Sequence, residues 1–285
     1  MKRVDKVLVV LLLLGTTVTG AVWGGKRIAA SRLNARCVEN LEHIGAALRT
    51  YSTVESNRDF FPPLSLAPGR LIFEPDSLYP DLLAEMTCFV SPFQPDYERL
   101  IGKEIDRLSR VDDGSYWYLG YLFANERSAL AWIDEYRRLI PEGKFPDDVE
   151  TLWPEYQENF ETRKREDVAR REQAQAEWLA SGRTGPSPGE IKWGGVFPFD
   201  HERHTYHILR QGVERYLISD IGNPAASAVV QSRVPVMVER PELHGNGGHV
   251  LYMDGHVEFV PYPGPFPMTV AFIDGLRSLD RLEPS

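Results

Sequence analysis

Residues 7–25 form a run of nineteen positions without a charge, and this run restricts the architectures open to the chain more than any other feature. At about 1.5 Å per residue in a helix it comes close to the ~30 Å hydrocarbon core of a bilayer, enough for one crossing. Lys2, Arg3 and Lys6 precede it. Basic flanks stay cytoplasmic, so the expected topology is a single-pass inner-membrane anchor with the bulk of the chain outside the cytoplasm. Lys26, Arg27 and Arg32 on the far flank reduce that asymmetry. The rival is a cleaved signal peptide, which calls for a shorter apolar run ending in a small-x-small site. Thr19-Gly20-Ala21 is a poor version of one.

Beyond the anchor, Ile28, Leu33, Cys37, Val38, Leu41, Ile44, Ala47, Leu48 and Tyr51 recur at three- and four-residue intervals, the spacing of one helical face. This predicts a long helix that lays an apolar stripe on a soluble domain. It ends before Phe60-Phe61-Pro62-Pro63, because two prolines cannot continue it. Residues 78–86 read as a short helix, Asp112-Asp113-Gly114 as a turn, and residues 115–123 as an aromatic strand. From residue 125 to about 180 the pattern is helical in two pieces, split at Ile140-Pro141-Glu142-Gly143. The second piece, dominated by charges of mixed sign, reads as a solvated insertion. Residues 181–189 are a Gly, Pro and Ser break, after which short strands and turns run to Val260. The chain therefore divides into a cytoplasmic tip and anchor (1–25), an amphipathic helix with the first part of a domain (26–124), a charged helical insertion and linker (125–190), and a β-rich C-terminal part (191–285). The expected class is α+β.

Lys plus Arg number 32 against 41 Asp plus Glu, a net charge of −9. With no basic block, the electrostatic footprint of nucleic-acid binding is missing, and DNA and RNA are excluded as partners. Two cysteines, Cys37 and Cys88, cannot by themselves build a zinc ribbon or an iron–sulfur cluster. Both lie beyond the anchor, where disulfides can form. A Cys37–Cys88 bridge would close a loop of about fifty residues and stabilise by roughly 4 kcal/mol. Two buried thiols are the equal alternative.

Most catalytic motifs fail on physical grounds. Gly185-Pro186-Ser187-Pro188-Gly189 has the letters of a nucleophile elbow, but Pro188 lacks the N–H that the oxyanion hole needs after the serine. His201-Glu202-Arg203-His204 has the wrong spacing for a zincin pair, which needs histidines at i and i+4. His201, His204 and His207 form an i, i+3, i+6 series that reads as a polar surface run.

The strongest local signal is His244-Gly-Asn-Gly-Gly-His249-Val-Leu-Tyr-Met-Asp254-Gly255-His256-Val-Glu-Phe-Val260. Two alternating runs flank Asp-Gly, the pair favoured in two-residue type I′ turns, so a β-hairpin is expected. Pairing Met253 with His256 would put Val250, Tyr252, Val257 and Phe259 on the core face. His249, Leu251, Met253, His256, Glu258 and Val260 would take the other. The ring of His244 is expected to bond back to the hairpin or its turn.

His244, nine intervening residues and then Asp254-Gly255 resemble the H-x9-DG signature of a large bacterial family of prepilin-type, type II secretion pseudopilin-like proteins. Residues 37–51, Cys-Val-Glu-Asn-Leu-Glu-His-Ile-Gly-Ala-Ala-Leu-Arg-Thr-Tyr, are similar to that family's segment after the membrane helix. Phe61-Pro62-Pro63 resembles its next landmark, and residues 88–92 its Cys-Pro-Ser strand. The resemblance covers residues 7–92 and 200–268. It implies a pilin-like fold, with a long N-terminal helix half in the membrane and half packed on an antiparallel sheet. It also implies a structural or assembly role among other pilin-like or secretion-system subunits. Prepilins carry Gly, Phe and a Glu at the fifth mature position; residues 7–25 hold neither the Gly-Phe step nor a Glu.

The expectations are a non-enzymatic envelope protein with no cofactor, no metal ligand and no catalytic residue, in which His244, Asp254 and Gly255 shape the chain. The alternative is a membrane-tethered extracytoplasmic metal-binding or hydrolytic domain that uses His201, His204, His207 and the hairpin histidines.

Overall fold

A computed structural model describes residues 30–54, 59–65, 67–73, 77–78, 81–83, 85–102, 112–146, 180, 206–218, 224–280 and 282. The uncharged run 7–25, the second insertion piece and its linker (residue 180 excepted), and His201 and His204 lie outside the described residues. Among the described residues no helix is long and apolar enough to cross a membrane.

Helix α1 covers residues 30–53, as its apolar spacing predicts. Cys37, Leu41, Ile44, Gly45 and Leu48 are buried along one stripe, and burying each Leu or Ile contributes about 1.5–3 kcal/mol. Residues 30–36 are exposed except for half-buried Leu33. Full burial of the helix against the domain therefore begins at Cys37.

The stripe meets a four-stranded antiparallel sheet of order β1-β2-β3-β4, made of β1 (Tyr116–Tyr118), β2 (Pro235–Glu239), β3 (Gly247–Tyr252) and β4 (Val257–Pro261). Parts of the chain before and after the insertion thus build one sheet. Tyr116 pairs with Glu239 and Tyr118 with Met237, while Met237 also pairs with Leu251 and Val238 with Val250. Paired residues share a face and neighbours alternate. Tyr116, Tyr118, Met237, Glu239, His249 and Leu251 accordingly point toward α1. A β-carbon at Gly45 would lie only 3.0 Å from Leu251 Cδ1, so helix and sheet are in close contact there.

Trp117, Val238 and Val250 point the other way. On that side Met268 lies against Gly248, and Asp280 takes the Trp117 indole N–H at 3.5 Å. Helix α2 (Tyr97–Leu100) is a single turn; α3 (Glu126–Leu139) is the expected first insertion piece, capped by Asn125 Oδ1 accepting from Ser128 N–H at 3.1 Å. Its apolar face, Ala129, Trp132, Ile133 and Tyr136, is buried. Trp132 stacks on Tyr136 at 4.9 Å and meets Tyr121 at 5.1 Å.

Several expectations need correction. Among the described residues of 78–86, the Leu82 and Leu83 N–H groups close on the Leu78 carbonyl, and the 3-10 helix that follows is Met86–Phe89. Of the aromatic run only Tyr116–Tyr118 is strand; the Leu119 N–H still reaches the Val236 carbonyl of β2 at 3.0 Å, after which the chain leaves β2 and Tyr121 bridges to Ile208. Tyr121 also donates its hydroxyl to the Pro146 carbonyl at 3.1 Å. The C-terminal part is less purely β than expected. It contains α4 (Pro224–Gln231), α5 (Pro241–His244) and α6 (Val270–Leu279), the last capped by the Thr269 hydroxyl on Phe272 N–H.

The expected hairpin forms, but one residue out of register. Leu251 pairs with Val257 and Val250 with Glu258, and Tyr252 N–H donates to His256 O at 3.0 Å. The loop is therefore Met253-Asp254-Gly255, three residues long. Of the Asp-Gly pair only Gly255 takes a positive φ, +92°, whereas a type I′ turn needs both. The slip moves Phe259 off the Val250 face and onto the His249 face, where it is 38% exposed.

Candidate functional site

The sheet face under α1 ends in a buried polar cluster. Glu239 closes β2, and Arg240 after it turns to the opposite side, where its guanidinium pairs with Asp280 at 2.7 Å and lies 4.2 Å from the Trp117 ring centroid. Pro241 opens α5, a single turn that ends at left-handed Gly245. This turn folds His244 back onto the strand it has just left. His244 Nε2 stands 2.9 Å from Glu239 Oε2. One step past the Val238–Val250 pair, His249 donates its backbone N–H to the same oxygen at 3.1 Å, and its Nδ1 lies 2.6 Å away. Gly248 makes this approach possible, since a β-carbon there would fall 2.6 Å from the Glu239 carbonyl oxygen.

Two further groups arrive from distant parts of the chain. Ser91 donates its hydroxyl to Glu239 Oε1 at 2.7 Å and is held by Ser115, whose Oγ accepts the Ser91 N–H at 2.9 Å. Cys37, the first buried residue of α1, points its thiol at Glu239 Oε1 at 3.4 Å, with His244 Nε2 4.0 Å away. Cys37 and Glu239 are fully buried and His249 is 3% exposed. Rings close the sides: Phe93 packs on His244 at 4.0 Å, and Phe259 lies 5.4 Å from His244 and 5.2 Å from His249.

Burial alone would raise the Glu239 carboxyl, but the bonds from His244 and His249, the charge of His244 and the Ser91 hydroxyl together bring it down to about 2. Burial and then the Glu239 carboxylate push the Cys37 thiol far above its ordinary value. A nucleophilic cysteine needs the reverse, an electropositive surrounding that favours the thiolate. The cluster as it stands holds a carboxylate and a thiol; it does not activate either.

The structure splits the predicted motif residues. His244 enters the buried cluster through Glu239 on β2, which corrects the expectation that its ring would bond to the hairpin or its turn. Asp254 and Gly255 lie past the other end of β3. There Asp254 Oδ1 accepts from His256 N–H at 3.1 Å and faces His256 Nδ1 at 2.6 Å, while His256 stacks on Tyr252 at 4.5 Å. His256 and Glu258 point away from His249. The Cys37–Cys88 bridge is not formed: both thiols are free and buried, and Cys88 donates to the Glu85 carbonyl at 3.2 Å. His207 is buried and stacks on Tyr216 at 3.9 Å. Glu239 and Ser91 went unread in the sequence. The signal for Glu239 was a lone acid ending the otherwise apolar run Val234-Pro-Val-Met-Val238, five residues before His244. No protein-family model, curated protein or solved structure matches the chain.

Proposed function

We propose that the chain is a membrane-anchored, pseudopilin-like structural subunit of a type II secretion or type IV pilus-like envelope system. Residues 7–25 hold it in the inner membrane, its sheet domain lies on the extracytoplasmic side, and its partners are other pilin-like or secretion-system subunits. The observation that carries this reading is the division of α1 at Cys37. Residues 30–36 are exposed except for half-buried Leu33, the stripe from Cys37 onward packs on an antiparallel sheet, and the helix is already present five residues after the uncharged run.

Among the described residues, the hydrolytic alternative finds no activated nucleophile. Burial holds the Cys37 thiol protonated, and Asp254 is engaged by His256 in an exposed turn. The proposed role is structural rather than catalytic.

Fractionation and protease accessibility of the full chain test the topology. The intact protein should sediment with the inner membrane, and its C-terminal domain should be digested from outside. Recovery in the soluble cytoplasm overturns the anchor. A cysteine placed at exposed Arg36 should cross-link to a second envelope subunit in cells, and persistent absence of any cross-linked species overturns assembly.

A further inference from the structure

The side chains of Cys37, Glu239, His244 and His249 each offer one ligand atom, and these atoms all lie within 4.8 Å of one another. We propose that these four residues bind one divalent transition-metal ion, zinc foremost, in a closed structural site that fastens α1 to the sheet. The inference stands apart from the membrane and assembly reading, since it needs only the folded domain.

Geometry supports it first. Zinc bonds of about 2.0–2.1 Å to nitrogen or oxygen and about 2.3 Å to sulfur set tetrahedral edges of roughly 3.3–3.6 Å. The observed separations lie on both sides of this: 2.6 Å for His249 Nδ1 to Glu239 Oε2, 2.9 Å for His244 Nε2 to Glu239 Oε2 and 4.0 Å for Cys37 Sγ to His244 Nε2, with every other edge within 4.8 Å. Opening the two short edges and closing the long one takes shifts below about 1 Å, which rotamer adjustments supply.

The donor set supports it next. One thiol, two imidazoles and one carboxylate suit zinc, whereas calcium and magnesium demand oxygen ligands throughout. The site also has outer support of the kind that orients metal ligands. Ser91 holds Glu239 Oε1 while the His249 backbone N–H orients Oε2 toward the two rings, and Phe93 and Phe259 wall the two imidazoles. With three buried ligands and a half-buried His244 whose side chain is only 5% exposed, four protein ligands leave no open position for substrate, which marks a structural rather than a catalytic site.

Binding is balanced as follows. The ion displaces the thiol proton of Cys37 to solvent and takes the thiolate. His244 coordinates through Nε2 and His249 through Nδ1; each of these nitrogens gives up the proton it shares with Glu239 in the metal-free cluster, and by exchange with solvent each ring ends neutral with its single proton on the other nitrogen. Glu239 coordinates as the carboxylate it already is. The ligands come from α1, β2, α5 and β3, so one ion ties together residues 202 apart in sequence.

The test is metal analysis of the full chain purified in detergent, followed by chelation and titration with cobalt(II). The expected result is one equivalent of metal retained, or one of cobalt taken up with thiolate-to-cobalt charge-transfer absorption and tetrahedral ligand-field bands. The chain has two cysteines, so Cys88→Ser should keep the charge-transfer band and Cys37→Ser should abolish it and weaken binding at least tenfold. A chelated wild-type chain that takes up no stoichiometric cobalt overturns the proposal even if the variants misfold. So does a thiolate band that survives Cys37→Ser or is lost in a folded Cys88→Ser.

Discussion

Ser91 gives its hydroxyl proton to Glu239 across 148 residues of sequence at 2.7 Å, tying the segment before β1 to the end of β2. Both side chains are fully buried. A hydrogen bond to a charged group contributes about 1.5–3 kcal/mol, so Ser91→Ala should lower stability by that order in chemical denaturation. A loss below about 0.5 kcal/mol would mean that the carboxylate finds another donor.

At the contact of α1 with β3, Gly45→Val should cost about 1–3 kcal/mol by overpacking, because the added carbons drive into Leu251. Gly45→Ala should come out near neutral. Its β-carbon meets only the movable end of Leu251, and that cost is offset by the roughly 1 kcal/mol by which Ala exceeds Gly in helices. Melting temperatures of the two variants should separate clearly, with Val below Ala.

Gly255→Val should destabilise by at least about 1 kcal/mol, from the left-handed backbone alone. A β-carbon at this position also collides with the Arg49 guanidinium of α1, so the variant must expel that side chain as well. Asp254→Asn should be close to neutral, since an amide oxygen can still accept from His256 N–H. Equal losses in the two variants would show that the carboxylate charge, and not the turn, is what the position requires.

His207 carries a pH dependence. Burial, reinforced by the Arg210 charge, lowers its pKa from 6.5 to about 4, while its ring lies stacked on Tyr216. The folded state thus prefers the neutral ring, and the unfolded chain binds the extra proton between those two values. Stability should be complete above about pH 6.5, fall by up to about 3 kcal/mol as the pH drops toward about 4, and then level off for this group. Urea midpoints of the wild type and His207→Phe should diverge over this window. Parallel curves would place the titration elsewhere.

Local signals carried much of the fold. The three- and four-residue spacing of Cys37, Leu41, Ile44 and Leu48 marked α1, and Asn125 marked the start of α3. The same periodicity in Phe272, Ile273, Leu276 and Leu279, after the capping residue Thr269, was present for α6 and went unused. The hairpin was legible from Asp254-Gly255, but its register was not, because two- and three-residue loops can share these letters and differ only in the φ of the aspartate. One residue of slip then reassigns every side chain on β4. The cluster was the least legible part. Cys37, Ser91, Glu239 and His249 lie in four separate stretches, and convergence of that kind is a property of sheet order that no spacing records.

Tyr121 meets the chain on both sides of residues 147–205: its hydroxyl takes the Pro146 carbonyl, and its backbone bridges to Ile208. Departure and return therefore share one doorpost. Closing a long loop between fixed points depends only weakly on its contour, about 0.6 kcal/mol for each doubling. An affinity tag or a shortened graft between residues 146 and 206 should therefore leave the sheet and its buried cluster intact.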